Sequence, residues 1–215
     1  MKRYAIGLVL VLGGVLAACG DDGGDTSDQA VGADQGAAEE SADFNDADVA
    51  FAQGMIPHHE QAVVMSELAE ESAESTDVLE LADQIKAAQG PEIEQMTGFL
   101  EEWGEEVPSG DMDHGAMGDD EQAGGDDKPM GGMDHSDMPG MMSDQEMTEL
   151  EASTGAEFDR MFLDMMVRHH EGAVEMSEIE LEEGENEEAL QLAEDIIDTQ
   201  ENEIAEMEDL LADLS

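Results

Sequence analysis

The chain is 215 residues long and carries 58 acidic against 6 basic residues, a formal charge of -52 at pH 7. A surface of that sign offers phosphate nothing to bind, which excludes nucleic acid as a partner and makes cations the natural counter-charge. Acidity also serves the solubility of exported proteins, and no D-x-D-x-D-G loop with a closing Glu marks a calcium site.

The N-terminus reads as a processing segment. Lys2 and Arg3 precede an apolar run from Ala5 to Val15, and Leu16-Ala17-Ala18-Cys19 follows with small residues before a cleavage point. The run is too short to span a bilayer. It is similar to a bacterial lipoprotein signal, which implies that residues 1–19 are a signal peptide and that Cys19 becomes the lipidated first residue. The protein would then be exported into the cell envelope and touch the membrane only through that lipid. Cys19 is the only cysteine, so no thiol remains for redox chemistry or metal ligation. Residues 20–42 are Gly, Asp, Ala, Ser and Glu with almost no large apolar side chain, which predicts a disordered acidic tether.

Helical periodicity begins near 43, is interrupted from about 104 to 142 by a Gly/Asp/Met segment, and resumes from 143 to the end. The two helical stretches repeat one another. Met55-Ile56-Pro57-His58-His59-Glu60-Gln61-Ala62-Val63-Val64-Met65 returns as Met166-Val167-Arg168-His169-His170-Glu171-Gly172-Ala173-Val174-Glu175-Met176, at an offset of 111 residues that Gln89/Gln200, Glu92/Glu203 and Met96/Met207 also keep. The unit is thus a duplicated two-helix module of roughly fifty residues, short for a core of its own. Residues 43–103 and 143–215 are therefore expected to be two hairpins of one bundle.

In the first module Pro57 predicts either a kink or a helix that effectively starts there, freeing a carbonyl near the histidines. The next helix shows a seam at Val78, Ala82, Ile85, Gln89, Glu92, Met96, Phe99 and Trp103, and its copy shows one at Ala189, Ala193, Ile196, Gln200, Glu203, Met207, Leu210 and Leu214. Two of the eight positions are polar in both copies, and buried polar groups need partners. Antiparallel pairing with turns near 75 and 186 sets His58/His59 beside Gln89/Glu92 and His169/His170 beside Gln200/Glu203. Thr76 or Asp77, and Asn186, are the candidate N-caps after those turns. Gly155 is expected to separate a short helix at 144–153 from a long one starting near Ala156.

On a helical wheel Met55, His58, His59, Ala62, Met65 and Ser66 share a sector of roughly 120°. This face admits two readings: a buried polar layer that fixes register, or a metal site. Duplicated His-His pairs flanked by methionine favour metal, held by His58, His59, His169 and His170 with the thioethers of Met55, Met65, Met96, Met166, Met176 and Met207. Gln89, Glu92, Gln200 and Glu203 would stand behind them. Thioether and imidazole together suit Cu(I) and also Ag(I), so copper is the expected ion. Methionine at helical spacing is commonly core filler, and the interruption is more telling because no core is expected there. It carries Met112-Asp113-His114-Gly115-Ala116-Met117 and Met133-Asp134-His135-Ser136-Asp137-Met138, then Met141 and Met142. That recurrence points to a flexible soft-metal trap rather than drift in a linker.

The motifs F-x-x-x-M-x-x-H-H-x-x-A-x-x-M (Phe51 to Met65, Phe162 to Met176) and Q-x-x-E-I-x-x-M (Gln89 to Met96, Gln200 to Met207) resemble the bacterial domain of unknown function 305 family. The resemblance implies an all-α, ferritin-like four-helix bundle, an exported location and, in some members, copper or silver binding. It implies no settled enzyme activity. A di-iron site would need Glu-x-x-His on two helices, and neither module has it; no nucleophile triad or phosphate loop is present. The expected function is metal sequestration or delivery, with metal ions as partners and a second copy or another envelope metal-handling protein left open. The rival readings are a structural bundle with a polar layer and a metal-dependent oxidase.

Overall fold

The computed structural model describes residues 43–108 and 138–214, all within one compact unit, Glu39–Ser215. Its elements are α1 (Asp46–Ser72), α2 (Thr76–Trp103), α3 (Asp144–Ala152), α4 (Ala156–Glu183) and α5 (Glu187–Asp213), and the described residues contain no strand. None of these helices is long and apolar enough to cross a membrane.

Local chemistry sets most of the boundaries. Asn45 caps α1 by accepting from the N–H groups of Ala47 and Asp48, while the Asp48 carboxylate accepts from the Asn45 N–H, a capping box. Ser143 and Glu146 build the same device on α3, and Asn186 caps α5. Gly104 ends α2 at φ 74°, a left-handed conformation that suits glycine.

Two expectations are corrected here. The residue at the α2 cap is Ser75, not Thr76 or Asp77, and its side chain makes no capping bond. Pro57 does not start a helix: α1 begins eleven residues earlier and runs through it, because Phe51, Ala52, Met55 and Ile56 before it are buried and hold that turn in the core. A second interior proline, Pro91, lies in α2 between Gln89 and Glu92.

Helix contacts run α2 to α1, α1 to α4 and α4 to α5, with α2 and α5 closing the bundle. Directions follow from who holds the turns. Asp48, at the start of α1, accepts from the N–H groups of Glu185 and Asn186 in the α4–α5 turn (3.1 and 2.9 Å). Asp159, the repeat mate of Asp48 at the start of α4, accepts from those of Glu74 and Ser75 in the α1–α2 turn (3.0 and 2.9 Å). Each hairpin thus clamps the other's turn, α1 runs antiparallel to α4, and the two modules pack on each other within one chain. The result is a ferritin-like four-helix bundle of two repeated hairpins joined by a long crossover, with α3 against α1 and α4.

The apolar core is divided. At one end Ala62, Met65, Leu81, Ile85, Phe158, Phe162 and Met166 cluster, and at the other Phe51, Met55, Ile56, Met96, Leu100, Leu192 and Ile196. Each such Leu, Ile, Met or Phe side chain, fully buried, stabilises by about 1.5–3 kcal/mol. Between the two clusters lies the polar layer.

Candidate metal centre

His58, His59, His169 and His170 are all fully buried in that layer. One histidine of each pair faces its own hairpin partner: His59 Nε2–H donates to Glu92 Oε2 at 2.7 Å and His170 Nε2–H to Glu203 Oε2 at 2.8 Å. The other histidine of each pair meets its repeat mate on the pseudo-two-fold axis, with the rings of His58 and His169 at 3.8 Å between centroids and tilted by 41°. Antiparallel pairing therefore brings together the side chains that the sequence places level with one another.

The tautomers follow from the partners. His58 Nε2 lies 3.0 Å from the carbonyl of Pro139, which can only accept, so Nε2 carries the proton. The carboxylates impose the same choice on His59 and His170. In all three rings Nδ1 is left buried with no partner, and in His169 both nitrogens lack one. Burial, reinforced by the neighbouring His59, pushes the His58 imidazolium down to about 3, and burial beside His58 holds His169 well below the ordinary value. His58 and His169 are therefore neutral at physiological pH.

An unsatisfied buried acceptor costs about 1–3 kcal/mol, so several in one layer call for a Lewis acid or a reason to be absent. A ring N–H fixed by an oxygen acceptor with the other nitrogen free is how metal-ligating histidines are oriented. The donor set fits a metal of low coordination demand. Among the described residues no three His, Cys, Asp or Glu side chains converge as a metal-holding group, and imidazole and thioether donors together suit a soft ion.

The seam residues divide. Glu92 and Glu203 are satisfied by histidine, but the buried amides of Gln89 and Gln200 find no hydrogen-bond partner, contrary to the expectation that the facing helix supplies one. Met55, Met65, Met96, Met166 and Met207 are fully buried members of the two apolar clusters, and Met176 is half-buried beside Ala173 and its neighbours. Met112, His114, Met117, Met133, His135 and Cys19 lie outside the described residues, as does the tether.

The last residues of the interruption overturn one expectation. Met142 is buried in the core, so that segment does have a core to fill. Met138–Met142 lies across the histidine helices: Gln61 Nε2 donates to the Met142 carbonyl (2.9 Å), the Met142 N–H donates to Gln61 Oε1 (2.7 Å), and Arg168 reaches the Met142 sulfur (3.5 Å). Sequence reasoning missed this strap, and it missed the Asp48 and Asp159 clamps although both Asp residues obey the repeat offset. It also missed Glu180, buried where the first copy has Ala69, and raised to about 8 by desolvation and the adjacent Asp48. A protonated Glu180 can donate to that carboxylate.

Fold and site define a ferritin-like helical bundle whose duplicated histidine–carboxylate layer crosses its middle. The chain belongs to the domain of unknown function 305 (DUF305) family, whose model matches residues 48–211. Among solved structures it is similar to a DUF305 protein from Streptomyces coelicolor described as secreted (31% identity, 78% of this chain and 93% of that one, TM-score 0.63). It is also similar to a DUF305 fragment from Deinococcus radiodurans (30%, 78% and 97%, TM-score 0.63) and to CopM in a Cu(II)-bound form (26%, 78% and 97%, TM-score 0.60). CopM is also solved with Cu(I) and with silver. No curated protein matches the chain.

Proposed function

We propose that this protein is an exported, lipid-anchored metal-handling bundle that binds copper as Cu(I), or a similar soft ion such as silver, for sequestration or delivery. The observation that carries the reading is the set of four buried imidazoles whose Nδ1 atoms have no partner, while Nε2 of His58, His59 and His170 is fixed by Pro139, Glu92 and Glu203. The metal-bound forms of CopM support it by analogy. Export is supported by the N-terminal pattern through Cys19 and by the secreted relative. The Met/His motifs at 112–117 and 133–138 are assigned to capture of the ion from the envelope.

The chain's residues hold the ion by soft ligation, keep water away from it and offer it, at His58 and His169, imidazoles for which no proton competes at pH 7. Nothing in this arrangement asks for turnover, so the proposed role is carriage. Titration of the chain with Cu(I) against a competing chelator tests it: the quadruple variant of His58, His59, His169 and His170 to leucine is expected to lose tight binding with helicity retained. Unchanged affinity would overturn the internal site. A second reading, a structural polar layer, is favoured by the absence of three converging ligands among the described residues, and it predicts no rise in melting temperature with Cu(I) or Ag(I).

A further inference from the structure

The two histidine helices are repeats, yet they differ at four positions one turn or less from the histidines (54/165, 56/167, 57/168 and 61/172), and at three of these pairs at least one copy meets the same object. Where α4 has the buried Met165, α1 has Gly54, and a Cβ built on Gly54 would lie 3.7 Å from the Met138 sulfur and 3.0 Å from the Met176 methyl carbon. The space that the second copy fills from its own helix is shared in the first copy by the Met176 methyl of α4, the nearer group, and the Met138 sulfur of the strap. Where α1 has Gln61, which holds Met142 by two hydrogen bonds, α4 has Gly172, and a Cβ there would fall 2.1 Å from the Pro139 carbonyl oxygen. Where α1 has Pro57, α4 has Arg168, which reaches the Met142 sulfur and pairs with Glu146.

The strap's own Gly140, at φ 75°, packs backbone to backbone against α4, since a side chain there would strike the carbonyls of Arg168 and His169. Its docking places two chemical groups at the histidine layer. The Pro139 carbonyl fixes His58 as the Nε2–H tautomer with Nδ1 free, and the adjacent Met138 lays its thioether into the gap at Gly54, one helical turn before His58 on the same face.

We propose that Met138 is a metal-binding residue carried on a removable strap, supplying the thioether that completes a soft-ion site with His58 and His169 and closing that site when Met138–Met142 docks. Gly54 and Gln61 of α1 with Arg168 and Gly172 of α4 are then the socket for the strap. This inference rests on the metal-binding reading above.

The test uses the full chain with Ag(I) and with Cu(I), each against a competing chelator, together with the sulfur content of the Cu(I) coordination shell from X-ray absorption. Met138→Leu keeps the volume and removes the sulfur; it is expected to weaken binding at least tenfold and to remove one sulfur from the shell. Gly172→Ala, which should leave helix α4 folded while lifting the strap, is expected to weaken binding to the same extent and to speed metal release. Met147→Leu, a thioether of α3 buried in an apolar cluster, serves as control and is expected to bind within about twofold of the wild type. Wild-type affinity and sulfur content in Met138→Leu would overturn the strap while leaving the histidine site standing. No chelator-competing binding by the wild type would overturn both.

Discussion

Replacing His169 by leucine should make the metal-free protein more stable. Both ring nitrogens of His169 are buried without a partner, and its ring faces the His58 backbone without reaching hydrogen-bond geometry. Each unsatisfied buried polar atom costs about 1–3 kcal/mol, and a shape-conserving apolar replacement restores at most about 1.5 kcal/mol of strain. The net expectation is a gain of about 1–3 kcal/mol, which at this chain length is a rise of about 3–9 °C in melting temperature. Thermal unfolding followed by circular dichroism, without and with Ag(I), reads both halves of the argument. The metal-free variant should melt higher than wild type, and silver should raise its melting temperature less than it raises that of the wild type. A metal-free variant that melts lower would refute the reasoning, because it would mean that His169 is satisfied, the His58 backbone being the group at hand.

The remaining predictions concern the clamps and the titrating groups. Asp159→Ala leaves the N–H groups of Glu74 and Ser75 without their carboxylate and should cost about 2–4 kcal/mol in denaturant unfolding. Glu180 binds its proton more tightly folded than unfolded, so between its ordinary value and about 8 the native state holds more protons and stability falls as pH rises. Glu180→Gln, which can still donate to Asp48, should flatten that fall in a pH series of melts. His58 shifts the other way: between about 3 and the ordinary 6.5 the unfolded state binds more protons, so the metal-free protein should lose stability as pH drops through that window. His58→Leu should remove part of that acid loss in the same series.

How far the sequence reveals this molecule depends on which physics each part obeys. Helix extents, the pairing of His59 with Glu92 and of His170 with Glu203, and the short helix before Gly155 follow from local periodicity, turn residues and the repeat offset, and all are legible in the chain. Even the clamps were within reach, since Asp48 and Asp159 stand at the offset and begin their helices. What was not legible depends on non-local fit. The differences between the copies beside the histidines look like drift until the strap is seen lying against several of them, and Gly172 announces a close approach only once the approaching backbone is known. Met142 sits in an acidic, glycine-rich run, where composition argues for solvent. Burial of Gln89 and Gln200 without partners runs against the rule that buried amides are satisfied, and no sequence pattern distinguishes a satisfied seam glutamine from an orphaned one.

The account stands on a soft ion lying between the two repeats. The most direct measurement is an anomalous difference map from crystals of the full chain loaded with Ag(I). It should show a peak within bonding distance of His58 and His169 with the Met138 sulfur beside it. Silver found only away from the histidine layer would contradict the central claim, whatever the affinity measured in solution.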